Sequence, residues 1–286
     1  MSKILDELLE IFDLSKSDED SWTGQNQDLG YVRLFGGQVL GQALVAAKRT
    51  VENWLPHSLH AYFLRPGDPS VPVRYQVHRI RNGRSFATRR VVALQHERAI
   101  FNMSASFQVI ESGFEHQSTM PVVKGPEGIK SELERARESQ ERLPDALKDY
   151  LLRDRPVEIR NPNPVSYFHP EKRAAVNQSW VRTVATMPDD PVIHYCMLAY
   201  ISDMNLIEAC MMPHAVNLLQ KNMQIASLDH SMWFHQPFRV DEWLLYHSHS
   251  PVASGSRGLN FGSFYRQDGT LVASTAQEGL IRQRER

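Results

Sequence analysis

The sequence predicts an α+β protein made of two tandem copies of one unit, each a helix followed by antiparallel strands. Three observations carry this. The chain matches itself when displaced by 171 residues. A helical stretch precedes the strands in each copy. A charged, proline-containing segment of different character separates the copies.

The self-match begins at "HAYFLRP" (60–66), which falls on "SMWFHQP" (231–237). Tyr62 meets Trp233, Phe63 meets Phe234 and Pro66 meets Pro237. Without a gap, the same displacement sets residues 85–108 on 256–279. Few letters agree, Ser85 with Ser256 and Ala105 with Ala276 among them. The shared pattern is strand, hairpin, strand. The hairpin tips are "QHERA" and "RQDGT", the second with an Asp-Gly turn signal.

In chain order, "MSKILDELLEIFDL" opens as an acidic amphipathic helix. Its Ile4, Leu5, Leu8, Leu9 and Phe12 recur at helical spacing, as a docking helix requires and a signal peptide does not. The helix of the first copy is "FGGQVLGQALVAAKRTV"; that of the second is "DPVIHYCMLAYISDMNLIEACM". Between the copies, "SELERARESQERLP" carries a Ser131/Glu134 capping box and should form a solvated helix that stops before Pro144. The expected organisation is an N-terminal repeat over 1–115, a charged connector over 116–164 and a C-terminal repeat over 165–286.

Composition narrows the function. The 286 residues are 42% hydrophobic and 23% charged, ordinary for a globular chain, and the net charge of -1 argues against a nucleic-acid partner. No apolar run approaches a membrane span. Cys196 and Cys210 form no CxxC, which points to two buried thiols in a reducing cytoplasm rather than a disulfide or a zinc site. The final "RQRER" is no peroxisomal address.

Several chemistries lack their motifs. No G-x-S-x-G elbow, phosphate loop, dinucleotide fingerprint or H-E-x-x-H occurs. His247 and His249 share a strand face, but no third ligand accompanies them; His230 and His235 fall on opposite faces of one strand. No metal and no cofactor is expected. What remains are polar residues in apolar surroundings: Asp203 in "LAYISDMNLIEAC", Ser227 in "MQIASLDHSMWF" and Gln277 in "LVASTAQEGLI". Alternation puts Gln277 on one face with Leu271, Ala273, Thr275, Gly279 and Ile281, where an amide needs a polar partner. Each residue also has a plain structural reading: an N-cap or first-turn carboxylate favoured by the helix dipole, a turn serine, a solvated amide.

Together, "FGGQVLGQAL", "HAYFLRPGDPSVPV", "SFATRRV", "GFEHQ", "LDHSMWFHQPF", "EWLLY" and "LVASTAQEGL" resemble the acyl-CoA thioesterase II family of bacteria. The resemblance spans almost the whole chain. It implies a double hotdog fold, two long helices each wrapped by antiparallel sheet, and hydrolysis of fatty acyl-CoA, medium to long chain, to fatty acid and CoA. It implies a homo-oligomer, dimer or tetramer. Asp203 and Gln277 match the family's Asp and Gln, and Ser227 stands where many members carry Thr. The three would bind and activate one water, with Asp203 as general base. Gly36 and Gly37 would let a thioester reach the backbone N–H groups at a helix start, or else serve as a turn for helix entry, with Gly37 and Gly41 equally able to permit close packing of helix on sheet; Arg257, with the "RIRNGRS" run at 79–85, would meet CoA phosphates. Two alternatives share the fold. A hotdog enoyl-CoA hydratase would need D-x-N-x-x-H, and here Glu208 stands where the His belongs, after Asp203 and Asn205. A non-catalytic acyl-CoA-binding module would have no need of the full Asp, Ser and Gln set.

Overall fold

The computed structural model describes residues 3–27, 30, 32–143, 145–166 and 168–284. Pro144 and the last two residues of "RQRER" lie outside them. The first half contains helices α1 (Lys3–Phe12) and α2 (Gly36–Lys48). Its strands are β1 (Ser15–Asp18), β2 (Ser21–Gly24), β3 (Leu55–Phe63), β4 (Val73–Asn82), β5 (Phe86–Gln95) and β6 (Arg98–Gln108). The connector carries α3 (Glu132–Glu138) and α4 (Asp145–Leu151). The second half has β7 (Val157–Arg160), β8 (Val176–Thr183), α5 (Pro191–Ser202), α6 (Glu208–Met211) and β9 (Met223–Ser227). It ends with β10 (Asp229–Phe234), β11 (Leu244–Ser254), β12 (Arg257–Arg266) and β13 (Leu271–Gln283).

All strands join one antiparallel sheet in the order β1-β2-β4-β5-β6-β3-β10-β13-β12-β11-β8-β7, with β9 also on β13. The order reads the same outward from the β3–β10 seam: β6, β5, β4, β2 on one side and β13, β12, β11, β8 on the other. At the seam His60 Nδ1 lies 3.0 Å from Ser231 Oγ, a pair 171 residues apart in sequence. The expected displacement holds for β5, since Phe86–Gln95 falls on Arg257–Arg266, but the last strand slips by one: Phe86 pairs with Gln108 and Arg257 with Leu280, so β6 falls on β13 at 172. It does not hold for the helices. Gly36 and Pro191, which open α2 and α5, are 155 apart, as are Ser21 and Val176, which open β2 and β8. The second half therefore carries 16 extra residues between its helix and β10, and α6 and β9 lie in this stretch.

The sheet wraps α2 and α5. Both are buried around almost the whole circumference, and the polar side chains Gln38 and Gln42 in α2 and His194 and Ser202 in α5 are buried as well. They run antiparallel in close contact: a Cβ at Gly37 would lie 2.4 Å from Tyr200 O, and one at Gly41 3.0 Å from Cys196 O. Their glycines serve helix-on-helix packing. The N-terminal helix docks as expected, burying Leu5, Leu8, Ile11 and Phe12. At the first hairpin tip His96 and Glu97 both take positive φ (48° and 56°), the type I′ geometry that follows strand twist, though neither is glycine.

The connector differs from the expectation in two ways. Its β7, inside the 116–164 segment, pairs with β8 and so extends the second half of the sheet. Its earlier residues also pack rather than only face water. Gln117 bonds Gly269 O and Leu271 N, and Trp180 Nε1 donates to Lys124 O. Met120, Val123 and Ile129 pack on Trp180, Leu245 and Tyr265. The capping box is present, with Glu134 N donating to Ser131 Oγ and Ser131 N to Glu134 Oε2.

Candidate active site

The helix expected to run through "DPVIHYCMLAYISDMNLIEACM" breaks after Ser202, and Asp203 is its C-cap. The break has a local cause. Asn205 takes φ +60°, the left-handed region that Asn tolerates better than most residues, and its Nδ2 donates to Glu132 Oε1 at 3.0 Å. Helix geometry resumes at Glu208. The interruption frees Asp203 to turn its carboxylate toward the sheet.

Ser227 comes from a second discontinuity. Strands β9 and β10 lie along the same edge of β13, with Ser227 opposite Gly279 and Ser231 opposite Ala276. Leu228 bridges them, donating its N–H to Glu278 O and accepting from Phe63 N. Ser227 is thereby held beside Gln277, which is fully buried on the inner face of β13. The expected face is present from Ala273 to Gly279, with Ala273, Thr275, Gln277 and Gly279 all buried, but a register shift before Ala273 turns Leu271 to the other face, onto Trp180, Leu245 and Tyr265. Its two long polar groups are both partnered. Thr275 Oγ1 is 3.2 Å from Tyr246 Oη, which donates to Ser202 O.

Gln277 Nε2 donates to Asp203 Oδ1 at 2.7 Å, and Ser227 Oγ donates to the same oxygen at 3.2 Å. Gln277 Nε2 is also 3.2 Å from Ser227 Oγ. A third donor reaches the carboxylate from the other half of the chain, the Gly37 N–H at the start of α2. Burial pushes the Asp203 carboxyl up to about 6, against the pull of these three hydrogen bonds. A carboxylate at the C-terminal end of α5 is disfavoured by that helix, but the N-terminus of antiparallel α2 beside it compensates.

The other expected site residues fall elsewhere. Gly36 and Gly37 touch the site, but not as open donors to a substrate: the space above them holds Asp203, whose Oδ2 would lie 2.7 Å from a Cβ at Gly36, and the Gly37 N–H is engaged. Arg257 is exposed and bonds Glu278 Oε1 at 2.9 Å. Alternation places it on the sheet face opposite Gln277, since Gly258 and Asn260 turn inward. In the 79–85 run, Arg79 pairs with Asp20 at 2.8 Å. The Glu208 carboxyl accepts from Asn177 Nδ2 and is pushed up to about 8 by burial and by the neighbouring Glu132. Cys196 and Cys210 are both free and buried. Among the described residues, no group of three or more His, Cys, Asp or Glu is arranged to hold a metal ion, and no helix is long and apolar enough to cross a membrane.

One member of the network escaped the sequence reading. His230 is completely buried on the inner face of β10 and touches both Gln277 and Ser202. Its alternation with Met232 and Phe234, both buried, was the available signal. Beside the site, a cavity of about 320 Å³ opens between the connector and the second half, reaching Asn205 and Glu208. Leu133, Val157, Ile159, Met211 and Leu219 give it apolar walls.

Over 283 residues the chain is 44% identical to Acyl-CoA thioesterase 2 of Haemophilus influenzae, covering 99% of each. It belongs to the acyl-CoA thioesterase family. Residues 24–108 match the family model for an acyl-CoA thioesterase N-terminal domain, and 147–280 that for acyl-CoA thioesterase. Acyl-coenzyme A thioesterase 8 of Homo sapiens is 43% identical, over 95% of this chain and 88% of its own. Among solved structures, an acyl-CoA thioesterase II from Mycobacterium marinum superposes with TM-score 0.79 at 39% identity, covering 96% of this chain and 98% of that one. A hot dog protein from Alicyclobacillus acidocaldarius superposes with TM-score 0.78 at 20% identity, covering 98% and 99%, a likeness of fold. The double hotdog architecture is thus common to this acyl-CoA thioesterase and its neighbours, and the enzyme class is thioester hydrolase.

Proposed function

We propose that this acyl-CoA thioesterase hydrolyses fatty acyl-CoA of medium to long chain, using a water oriented by Asp203, Ser227 and Gln277. The observation that carries this is the convergence of Gln277 and Ser227 on one carboxylate oxygen of Asp203, at 2.7 and 3.2 Å. They come from a helix end, a strand break and the last strand, so no local turn requires them to meet. Asp203 accepts a proton from the water as its oxygen attacks the thioester carbonyl carbon. The C–S bond then breaks, and the proton passes to the departing CoA thiolate. Positioning by Ser227 and Gln277 lowers the entropic cost of attack. The acyl chain lies along the apolar walls of the cavity beside Asn205. The reading extends to a cytoplasmic homo-oligomer, dimer or tetramer, supported by two buried free thiols and by exposed Tyr62, Trp233 and Phe261.

A thiol-release assay across saturated acyl-CoAs of graded length, with an enoyl-CoA alongside, tests it. Release of CoA thiol with an optimum at medium or long chains is expected. Binding without release would identify a binding module. Loss of enoyl absorbance alone would identify a hydratase.

A further inference from the structure

The hydrogen bonds around His230 can be assigned a direction one after another. Ser202 Oγ donates its single hydrogen to Ala199 O at 2.8 Å. It must therefore accept from His230 Nε2, 2.9 Å away, so that nitrogen carries the hydrogen. His230 Nδ1 is left with a lone pair, and Gln277 Nε2 lies 3.2 Å from it. Gln277 has two amide hydrogens. One goes to Asp203 Oδ1, and the other is shared between His230 Nδ1 and Ser227 Oγ, each 3.2 Å away. Burial holds the His230 ring well below its usual range, at about 3, so it stays neutral. A charged ring would set one N–H against another.

We propose that His230 is a positioning residue for hydrolysis: its neutral, Nε2-protonated ring fixes which end of the Gln277 amide faces Asp203. Gln277 then presents nitrogen to the carboxylate and keeps Oε1 for another partner, which under the reading above is the attacking water. With the amide turned over, its oxygen would face the carboxylate and the water would lose its acceptor. The inference rests on Asp203, Ser227 and Gln277 acting together.

The test uses the purified full chain and three substitutions. His230→Asn places an amide oxygen near Nδ1 and can still accept from Gln277. His230→Gln reaches toward Ser202 and offers Gln277 no acceptor. His230→Leu offers neither. The expected result is a kcat loss of about tenfold to a hundredfold in the Gln and Leu variants, at little change in KM, with most of the rate recovered in the Asn variant. A purely structural histidine would instead give losses that follow melting temperature and ignore which nitrogen is replaced. Wild-type kcat in the Gln or Leu variant overturns the proposal, as does equal loss in all three. NMR of isotope-labelled imidazole in the unaltered enzyme is independent of how the variants fold. It should find a neutral Nε2–H tautomer at neutral pH, and a charged ring or the Nδ1–H tautomer overturns the proposal. An Asp203→Asn control separates the two layers. Full activity there removes the catalytic set itself; an inactive Asp203→Asn variant beside an active His230→Leu variant removes only the role of His230.

Discussion

The backbone N–H of Gly37, in the first half of the chain, donates to the carboxylate of Asp203, in the second. Neither half alone holds that carboxylate in place. The antiparallel contact of α2 and α5 that makes the core also sets the distance between helix start and the proposed base, so the same glycines serve packing and the candidate site.

Gly36→Ala tests this coupling. Its Cβ would lie 2.7 Å from Asp203 Oδ2 and 2.8 Å from the Phe63 ring, so the carboxylate or the ring must move. Overpacking of this kind costs about 1–3 kcal/mol. Displacement of the base should cut kcat by about tenfold to a hundredfold. Thermal melting and steady-state kinetics measure the two effects, and a Gly36→Ala variant of wild-type kcat would place the base elsewhere.

Asp203 should control the acid limb of the pH–rate profile. With its carboxyl near 6, kcat/KM is expected to fall by about tenfold per pH unit below that value. Asp203→Asn should remove both the limb and most of the turnover. Its melting temperature should not drop. The folded pKa lies above the ordinary carboxylate value, so the stabilisation is present at acid pH and lost as pH rises through about 6. Near neutrality the charged carboxylate carries a burial cost that Asn lacks.

Ser227→Thr keeps the hydroxyl and adds a methyl, and kcat should stay within about fivefold of wild type, because the stiffer rotamer still reaches Asp203. Ser227→Ala removes the donor to Oδ1, and a loss of about tenfold is expected. Thiol release compares the pair, and equal rates in the Ala variant and the wild type would exclude Ser227 from the set.

Glu208 should make stability, rather than rate, depend on alkaline pH. Its carboxyl is held near 8, so the folded form is favoured at low pH and loses that advantage as pH rises through about 8. Glu208→Gln can still accept from Asn177 and has no charge to bury. Its melting temperature should exceed that of wild type at pH 9, with each kcal/mol worth about 2–4 °C. Parallel melting curves from pH 6 to 9 would show instead that the group is solvated.

Much of the fold was legible because repetition in the strands survives in hydrophobic pattern even where letters differ. Phe86–Gln95 and Arg257–Arg266 lie at the expected displacement. The helices escaped that displacement because the 16 extra residues lie after α5, where the apolar run of "LAYISDMNLIEACM" hides a break that one left-handed Asn produces. Of the site, Gln277 was legible as a polar intruder on a buried face. Gly36 and Gly37 were read as space for a substrate, whereas the structure fills that space with Asp203. The use of glycine for close approach is visible in sequence; what approaches is not. Alternation with Met232 and Phe234 could have marked His230 as buried, but its hydrogen bonds join Ser202 to Gln277 across the fold, and local sequence carries no trace of them.

The extra stretch in the second half also bears on stoichiometry. At the corresponding places in the first half stand Lys48, Pro56, Leu59 and Ala105, which lies opposite Arg89 as Gln277 lies opposite Asn260; the second half has Asp203, Ser227, His230 and Gln277 there. The Lys48 ammonium is turned onto Val51 O. Under the proposed mechanism each polypeptide therefore holds one centre, and a tight-binding substrate mimic should saturate the enzyme at one equivalent per chain.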